Sequence, residues 1–299
     1  MVSFSDTHRR HQGNSSDKWA HYLKVYDVAL APYQQQAINL LEVGVFNGGS
    51  LDVWASYFPN AEKIIGCDIN PKCREIAFAN ERIALVLGDA KQEATLQQIQ
   101  ALAPEFDIII DDGSHSSGDI IATFVRLFPT LKMGGLYVIE DLCCGYWHGF
   151  EGGLNRIDSS MQFLKKLADV VNFEHWDVNA SYAEFFAEFP AAQGIEHVGL
   201  QSVHSVQFSN SLCLIRKMPA SENILGARCV VGDVFTVNDA VQHLNGSFIA
   251  PPVKQATPLE GNSVLQLQAQ IQEQQKMLMQ QKVAIMHLEQ QIQALKRAS

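Results

Sequence analysis

A chain of 299 residues with 47 % hydrophobic side chains carries enough apolar material for one large domain or two smaller ones. Acidic residues outnumber basic ones, 32 to 22, leaving a formal charge of −10. That excludes partners held by phosphate contacts, which need a basic face, so no nucleic acid is expected. The opening run MVSFSDTHRRHQGNSSD lacks the apolar core of a secretory signal, and no stretch reaches transmembrane length. A cytoplasmic protein with no membrane span is expected, and its six cysteines, which form no C-x-x-C pair, should be reduced thiols.

Residues 1–14 read as a flexible N-terminus. From about residue 38 to 140 strand-like and helix-like segments alternate. Strands are expected at INLLEVG (38–44), KIIGCDI (63–69), RIALVLG (82–88), FDIIIDD (106–112) and GLYVIED (135–141). Between them SLDVWASYF, PKCREIAFAN, AKQEATLQQIQALA and SGDIIATFVRLFPTL suit helices. Strands apolar on both faces and alternating with helices mean an α/β fold, a parallel sheet covered on both sides. Near residues 202–217 the pattern changes: SVHSVQF and SLCLIRK flank a Ser-Asn turn and form a β-hairpin signal. A parallel sheet closed by an antiparallel hairpin strand resembles the Rossmann-like sheet of class I methyltransferases more than a dinucleotide-binding domain. The expected methyltransferase domain is 15–217, followed by a linker or small appendage at 218–262. Residues 263–298 carry heptads, with Val264, Ile271, Leu278, Ile285 and Ile292 at one apolar position and Leu267, Gln274, Gln281, Leu288 and Leu295 at the other. A C-terminal coiled-coil helix, leaning towards a parallel homodimer, is expected there.

The candidate site lies at the strand ends. LLEVGVFNGGSLDVW (40–54) is a Gly-rich turn that does not spell G-x-G-x-x-G, which weakens a nicotinamide reading. Gly44 and Gly48 would let the backbone approach a ligand without a pyrophosphate, and Glu42 could meet a cationic or hydroxylated group. A Gly-rich connector with no ligand is the plainer reading of this stretch alone. Asp68 ends the second strand, where a carboxylate can accept from ribose hydroxyls. LGDA (87–90) would put Asp89 near an adenine amino group. Ser50, Gly88 and Asp111 complete the expected cofactor-contacting set. The fourth strand delivers Asp112 and His115, the fifth Glu140 and Asp141. Oxygen donors without cysteine suit a hard cation, Mg²⁺ before Zn²⁺, which could stabilise a developing alkoxide. His115 is the natural proton acceptor for a hydroxyl.

SSDKWAHYLKVYD (15–27), LLEVGVFNGGSL, DDGSH and GGLYVIEDL, in this order, resemble the metal-dependent class I S-adenosylmethionine sugar O-methyltransferases of the macrolide deoxysugar type. The resemblance spans roughly residues 15–217. It implies that Asp112, Glu140 and Asp141 bind Mg²⁺ and that His115 is the general base. It also implies that Asp17 and Lys18 close over the cofactor, S-adenosylmethionine, or the substrate, with Tyr22 and Tyr26 nearby. The acceptor would be a sugar-containing small molecule or a polysaccharide. The separate N-terminal domain of some relatives is not expected here, and the coiled coil is an addition that would build a homo-oligomer or dock a glycosyltransferase. Two rivals are a nicotinamide-dependent oxidoreductase on a similar sheet and an inactive methyltransferase-like scaffold. The presence of Asp112, His115, Glu140 and Asp141 together argues against the second.

Overall fold

The computed structural model describes residues 2–176, 178–249 and 257–258. The apolar runs become parallel strands β1 (Asn39–Val43), β2 (Lys63–Asp68), β3 (Ile83–Leu87), β4 (Phe106–Asp111) and β5 (Leu131–Ile139). A two-residue strand, β6 (Val178–Asn179), pairs in parallel with Thr257–Pro258 in a separate small unit. The expected hairpin is β7 (Val203–Ser209) and β8 (Leu212–Lys217), turning at Asn210–Ser211. The main sheet runs β3-β2-β1-β4-β5-β8-β7, with β8 antiparallel to β5. The chain winds outward from β1 in one direction and from β4 in the other. The crevice beyond the carboxyl ends of β1 and β4 is therefore the topological switch point, where open α/β sheets bind ligands.

Successive residues of a strand face opposite sides of the sheet, and both sides here are apolar. Ile108 and Ile110 pack in the layer that holds Trp54 and Tyr26, while Phe106 and Ile109 pack with Phe124 and Leu164. Helices α1 (Phe4–Arg10), α2 (Ala20–Ala29) and α3 (Gly49–Tyr57) supply the first layer. Helices α4 (Glu93–Leu102), α5 (Ser117–Leu127) and α6 (Ser160–Val171) supply the second. Ile108, Ile109 and Ile110 are fully buried, each contributing about 1.5–3 kcal/mol by leaving water. This is why β4 carries no polar side chain between Asp107 and Asp111.

Two expectations are corrected. The described part of the expected flexible terminus, residues 2–14, holds a packed helix: α1 is capped by the Ser3 hydroxyl, and Phe4 stacks on Trp54 with ring centroids 4.7 Å apart. Ser5 adds two hydrogen bonds to the Asp27 carboxylate. A single aromatic residue in a polar run gives no periodic signal, so only its tertiary partner reveals it. PKCREIAFAN forms only a 3₁₀ turn over Pro71–Glu75, and Ile76 is extended. Ile76 and Phe78 pack against the first layer instead of continuing a helix. Residues 218–249 contain a short antiparallel pairing of Arg228–Cys229 with Phe248–Ile249. The expected coiled coil of 263–298 lies outside the described residues. All six cysteines are free thiols, and among the described residues no helix is long and apolar enough to cross a membrane.

Two cations fasten the layers to the sheet. Lys217, buried on β8, donates to the carbonyls of Phe128, Pro129 and Leu131 and ties the last strand to the α5–β5 connection. Arg82 donates to the carbonyls of Ala55, Phe58, Pro59 and Ala61 and so caps the end of α3, where the carbonyls lack helical partners and the helix dipole favours a cation. Replacing Arg82 with Met removes this side-chain donor, although Phe58 O keeps its bond from Ala61 N. It should lower stability by about 1–3 kcal/mol, read as a lower urea midpoint with unchanged slope.

Candidate active site

The strand ends are aligned by backbone bonds that run one residue past the ladders. Gly44 N donates to Cys67 O, Gly88 N to Asp68 O, Asp112 N to Val43 O and Glu140 N to Asp111 O, each at 2.9 Å. Glu42, Asp112 and Glu140, from three adjacent strands, thereby meet at one point. Lys18, just ahead of α2, fills it. Its Nζ lies 2.5 Å from Asp112 Oδ2, 2.8 Å from Glu140 Oε1 and 3.7 Å from Glu42 Oε1, and its side chain is only 2 % exposed. One ammonium cannot compensate three carboxylates out of water. Burial pushes Glu42 up to about 7 and Glu140 up to about 8. Burial also works against the Lys18 charge, but Glu140, Asp112 and Glu42 outweigh it and hold Lys18 well above its ordinary value.

The same segment reaches the remaining acid. Trp19 Nε1 donates to Asp141 Oδ1 at 2.9 Å, and the Tyr22 hydroxyl lies 2.7 Å from the same oxygen. Tyr26 donates to Glu140 Oε1 at 2.6 Å. Asp112, His115 and Asp141 can each turn one ligand atom to within 4.8 Å of the others, and His115 Nε2 stands 3.7 Å from Asp141 Oδ2. Glu140 is outside that trio, spent on Lys18 and Tyr26. Two carboxylates and an imidazole fit a divalent cation with oxygen preference. His115 and Asp141 both hold left-handed backbone, φ 58° and 54°, as does Phe46 in the Gly-rich turn, φ 51°. Such conformations cost about 1–3 kcal/mol each and persist where the surroundings over-determine them.

Two adjoining cavities open along the crevice. One, about 390 Å³, is lined among others by Asp17, Lys18, Ser50, Asp112 and Asp141. The other, about 270 Å³, is lined by Gly88, Asp89, Asp111 and Asp119 among others. Both share Gly44, Asp68, Gly113 and His115. Asp111 presents a buried carboxyl oxygen with no hydrogen-bond partner among the described residues, and burial pushes its pKa up to about 7. Asp68 braces the Gly-rich turn, accepting from the backbone N–H of Val45, Phe46 and Asn70.

Four of the expected residues do not line either cavity. Glu42 sits behind Ser50, whose hydroxyl it accepts at 2.7 Å. Tyr22 and Glu140 belong to the buried network behind the acids. Gly48 faces Phe78 and Ile76, where a Cβ would lie 2.8–2.9 Å from their side chains. Gly44 lines both cavities, but its lack of a side chain has another reason than ligand approach: φ is 90°, and a Cβ would fall 2.0 Å from the carbonyl oxygen of Asp112. Trp19, Ile69, Lys91 and Asp119 were not among the expected residues. The ion pair Lys91–Asp119 lines the smaller cavity, and only its position beside Asp89 could have suggested it.

A family model described as O-methyltransferase matches residues 15–173. The chain belongs to the O-methyltransferase family. Family membership decides against the nicotinamide reading. The chain is 37 % identical over 166 residues to 8-demethyl-8-α-L-rhamnosyl tetracenomycin-C 2′-O-methyltransferase of Streptomyces olivaceus, covering 52 % of this chain and 43 % of that protein. It is 35 % identical over 195 residues to mycinamicin VI 2″-O-methyltransferase of Micromonospora griseorubida, covering 61 % and 46 %. It thus spans somewhat under half the length of these relatives. A solved structure of MycE methyltransferase from the mycinamycin biosynthetic pathway, in complex with Mg, SAH and mycinamycin VI, superposes with a TM-score of 0.59 at 28 % identity, covering 75 % of this chain and 57 % of that one.

Removing the Lys18 charge tests the acid cluster. Lys18→Met should cost about 3–5 kcal/mol, the scale for breaking a buried ion pair, and Glu140→Gln in the same chain should recover part of it. A double-mutant cycle in urea checks both; independent, additive losses would mean the ammonium and carboxylate do not interact.

Proposed function

We propose that this chain is an S-adenosylmethionine- and Mg²⁺-dependent O-methyltransferase acting on a sugar hydroxyl of a glycoside or polysaccharide. The observation that carries this reading is the pair of adjoining cavities ending on Asp112, His115 and Asp141 at the switch point of the sheet. The relatives are named for methylating sugar hydroxyls, and the MycE complex holds Mg and SAH. In this reading the cofactor's adenosine would occupy the smaller cavity by Asp89 and Asp111, and its amino-acid end the larger one by Asp17 and Ser50.

The bound cofactor supplies an electrophilic methyl group and the cation a charge that favours an ionised acceptor oxygen. The chain's residues do the rest. Asp112 and Asp141 would hold the cation. Glu140, implied by the resemblance as a third ligand, has Oε1 engaged by Lys18 and Tyr26, just as Asp112 Oδ2 is engaged by Lys18 and Asp141 Oδ1 by Trp19 and Tyr22, so each acid would offer its other oxygen. His115 would take the proton of the acceptor hydroxyl, and the Asp141 carboxylate beside it would favour the imidazolium so formed. Tyr22 and Trp19 fix Asp141 for both tasks. The heptads of 264–295 support self-association, with a glycosyltransferase as the other candidate partner, and the cytoplasm fits the reduced thiols.

Calorimetry should detect S-adenosylmethionine binding and no NAD binding. Thorough chelation of divalent cations should abolish methyl transfer, and Asp141→Asn should nearly do so; full turnover after chelation would remove the metal from the mechanism. His115→Ala should lower turnover by about 10²–10⁴-fold while sparing cofactor affinity. A loss below about tenfold, with chemistry limiting, would make His115 a turn residue.

A further inference from the structure

A third cavity, about 470 Å³, adjoins the acid cluster on the side away from the Gly-rich turn. Its volume falls within the range of roughly 300–1,000 Å³ typical of small-molecule sites. Leu142 and Cys143, directly after Asp141, form part of its wall. The β7–β8 turn forms another, and it is tied to the same acid: Ser211 O accepts from Leu142 N, and the Tyr22 hydroxyl lies 3.1 Å from Ser211 O as well as against Asp141. Two walls of this cavity are thus tied to Asp141, one by the chain and one by hydrogen bonds.

The lining has two distinctive parts. Tyr146, Trp147 and Phe208 line it with 42 %, 54 % and 40 % of their surface exposed, in a chain that buries most of its aromatic rings. An aromatic face is electron-rich, and the face of a pyranose presents weakly positive C–H groups, so the two stack while the hydroxyls stay at the edge. Asn210, whose amide has no partner among the described residues, lies among them to meet such hydroxyls. The second part is Lys165, exposed, lining the cavity and without an ion-pair partner among the described residues. Among the described residues it is the one charged group in the lining. An anion approaching Asp112, Glu140 and Asp141 on a chain of net charge −10 would be repelled. An ammonium at this wall reverses the sign locally.

Resting on the methyl-transfer reading, we propose that this cavity is the acceptor site and that the acceptor is an acidic glycoside. Its sugar ring stacks on the Tyr146–Trp147–Phe208 wall, and its carboxylate or phosphate meets Lys165. The cavity has room for more than one ring, so a glycoside fits better than a free monosaccharide.

Calorimetry with p-nitrophenyl β-glucuronide, p-nitrophenyl β-glucoside 6-phosphate and neutral p-nitrophenyl β-glucoside, with and without S-adenosylhomocysteine, tests this. At least one acidic member should bind about tenfold tighter than the neutral one, the scale of a charge-assisted hydrogen bond; which one does so distinguishes a uronic acid from a phosphosugar. Lys165→Met should erase the preference and leave the neutral affinity unchanged. Trp147→Ala should weaken all three alike, and both variants should keep the parent affinity for S-adenosylhomocysteine. In the unaltered chain the tighter glycoside should also slow alkylation of Cys143 by iodoacetamide, followed by peptide mass spectrometry. Equal binding of the three, a preference that survives Lys165→Met, or no glycoside binding by a chain that binds S-adenosylhomocysteine would overturn the proposal. Selective glycoside binding without any S-adenosylhomocysteine binding would instead uphold the acidic-sugar site and sink the methyl-transfer reading.

Discussion

Everything at the centre of this molecule depends on keeping several carboxylates close together out of water. Two unit charges 4 Å apart interact by about 4 kcal/mol at the effective dielectric of a protein surface, and Glu42, Asp112 and Glu140 all place an oxygen within 3.7 Å of the one Lys18 ammonium. Lys18 makes the arrangement stable. Because it precedes α2, its position depends on the packing of that helix, and α2 in turn carries Tyr22 and Tyr26 against Asp141 and Glu140. Phe4, Tyr26 and Trp54, in mutual ring contact, hold α1, α2 and α3 together. The N-terminal segment is thus part of the site, and the aromatic cluster on one face of the sheet is what keeps a charge in place at its edge.

The backbone around the acids is held in costly conformations. Phe46, His115 and Asp141 lie in left-handed φ, and so do Glu151 and Ser211. Glu151 accepts from Gly118 N and from the Ser116 hydroxyl at the start of α5, anchoring the loop that carries Tyr146 and Trp147. Ser211 forms the β7–β8 turn and bonds to the segment after Asp141. The strained positions therefore surround both the acid cluster and the aromatic cavity; Phe46, Asp141, Glu151 and Ser211 are held by hydrogen bonds from neighbouring elements, and His115 stands 3.7 Å from Asp141 Oδ2. A loose loop would relax out of such geometry, whereas one tied at both ends cannot.

The cavities divide the labour by chemistry. The two at the strand ends combine carboxylates and glycines with the ammoniums of Lys18 and Lys91. The third is aromatic and carries a single ammonium. Asp141 stands at the junction, with its carboxylate towards His115 and its chain continuation forming the wall of the third cavity.

The sheet was legible in the sequence because strands buried on both faces must be continuously apolar, and FDIIIDD or KIIGCDI admit few other readings. The polar strand ends were legible for the complementary reason: a carboxylate directly after such a run stops where the sheet's edge meets solvent. The hairpin followed from two alternating runs around a turn pair. What the sequence could not determine was which of these acids touches which. Gly44 and Gly48 looked like ligand-facing glycines, yet packing against Asp112 O and Phe78 explains them. Lys18 followed from the resemblance as a residue closing over the cofactor, but its burial among three carboxylates depends on α2 docking across the strand ends. Phe4 and the Ile76–Phe78 segment lacked periodicity, because single apolar residues act through partners far along the chain. Local patterning determines strands and their ends, since burial and backbone bonding are repetitive. The pairing of charges and the anchoring of isolated rings were decided only by tertiary structure, because those energies depend on distances between residues more than a hundred positions apart, such as Lys18 and Glu140.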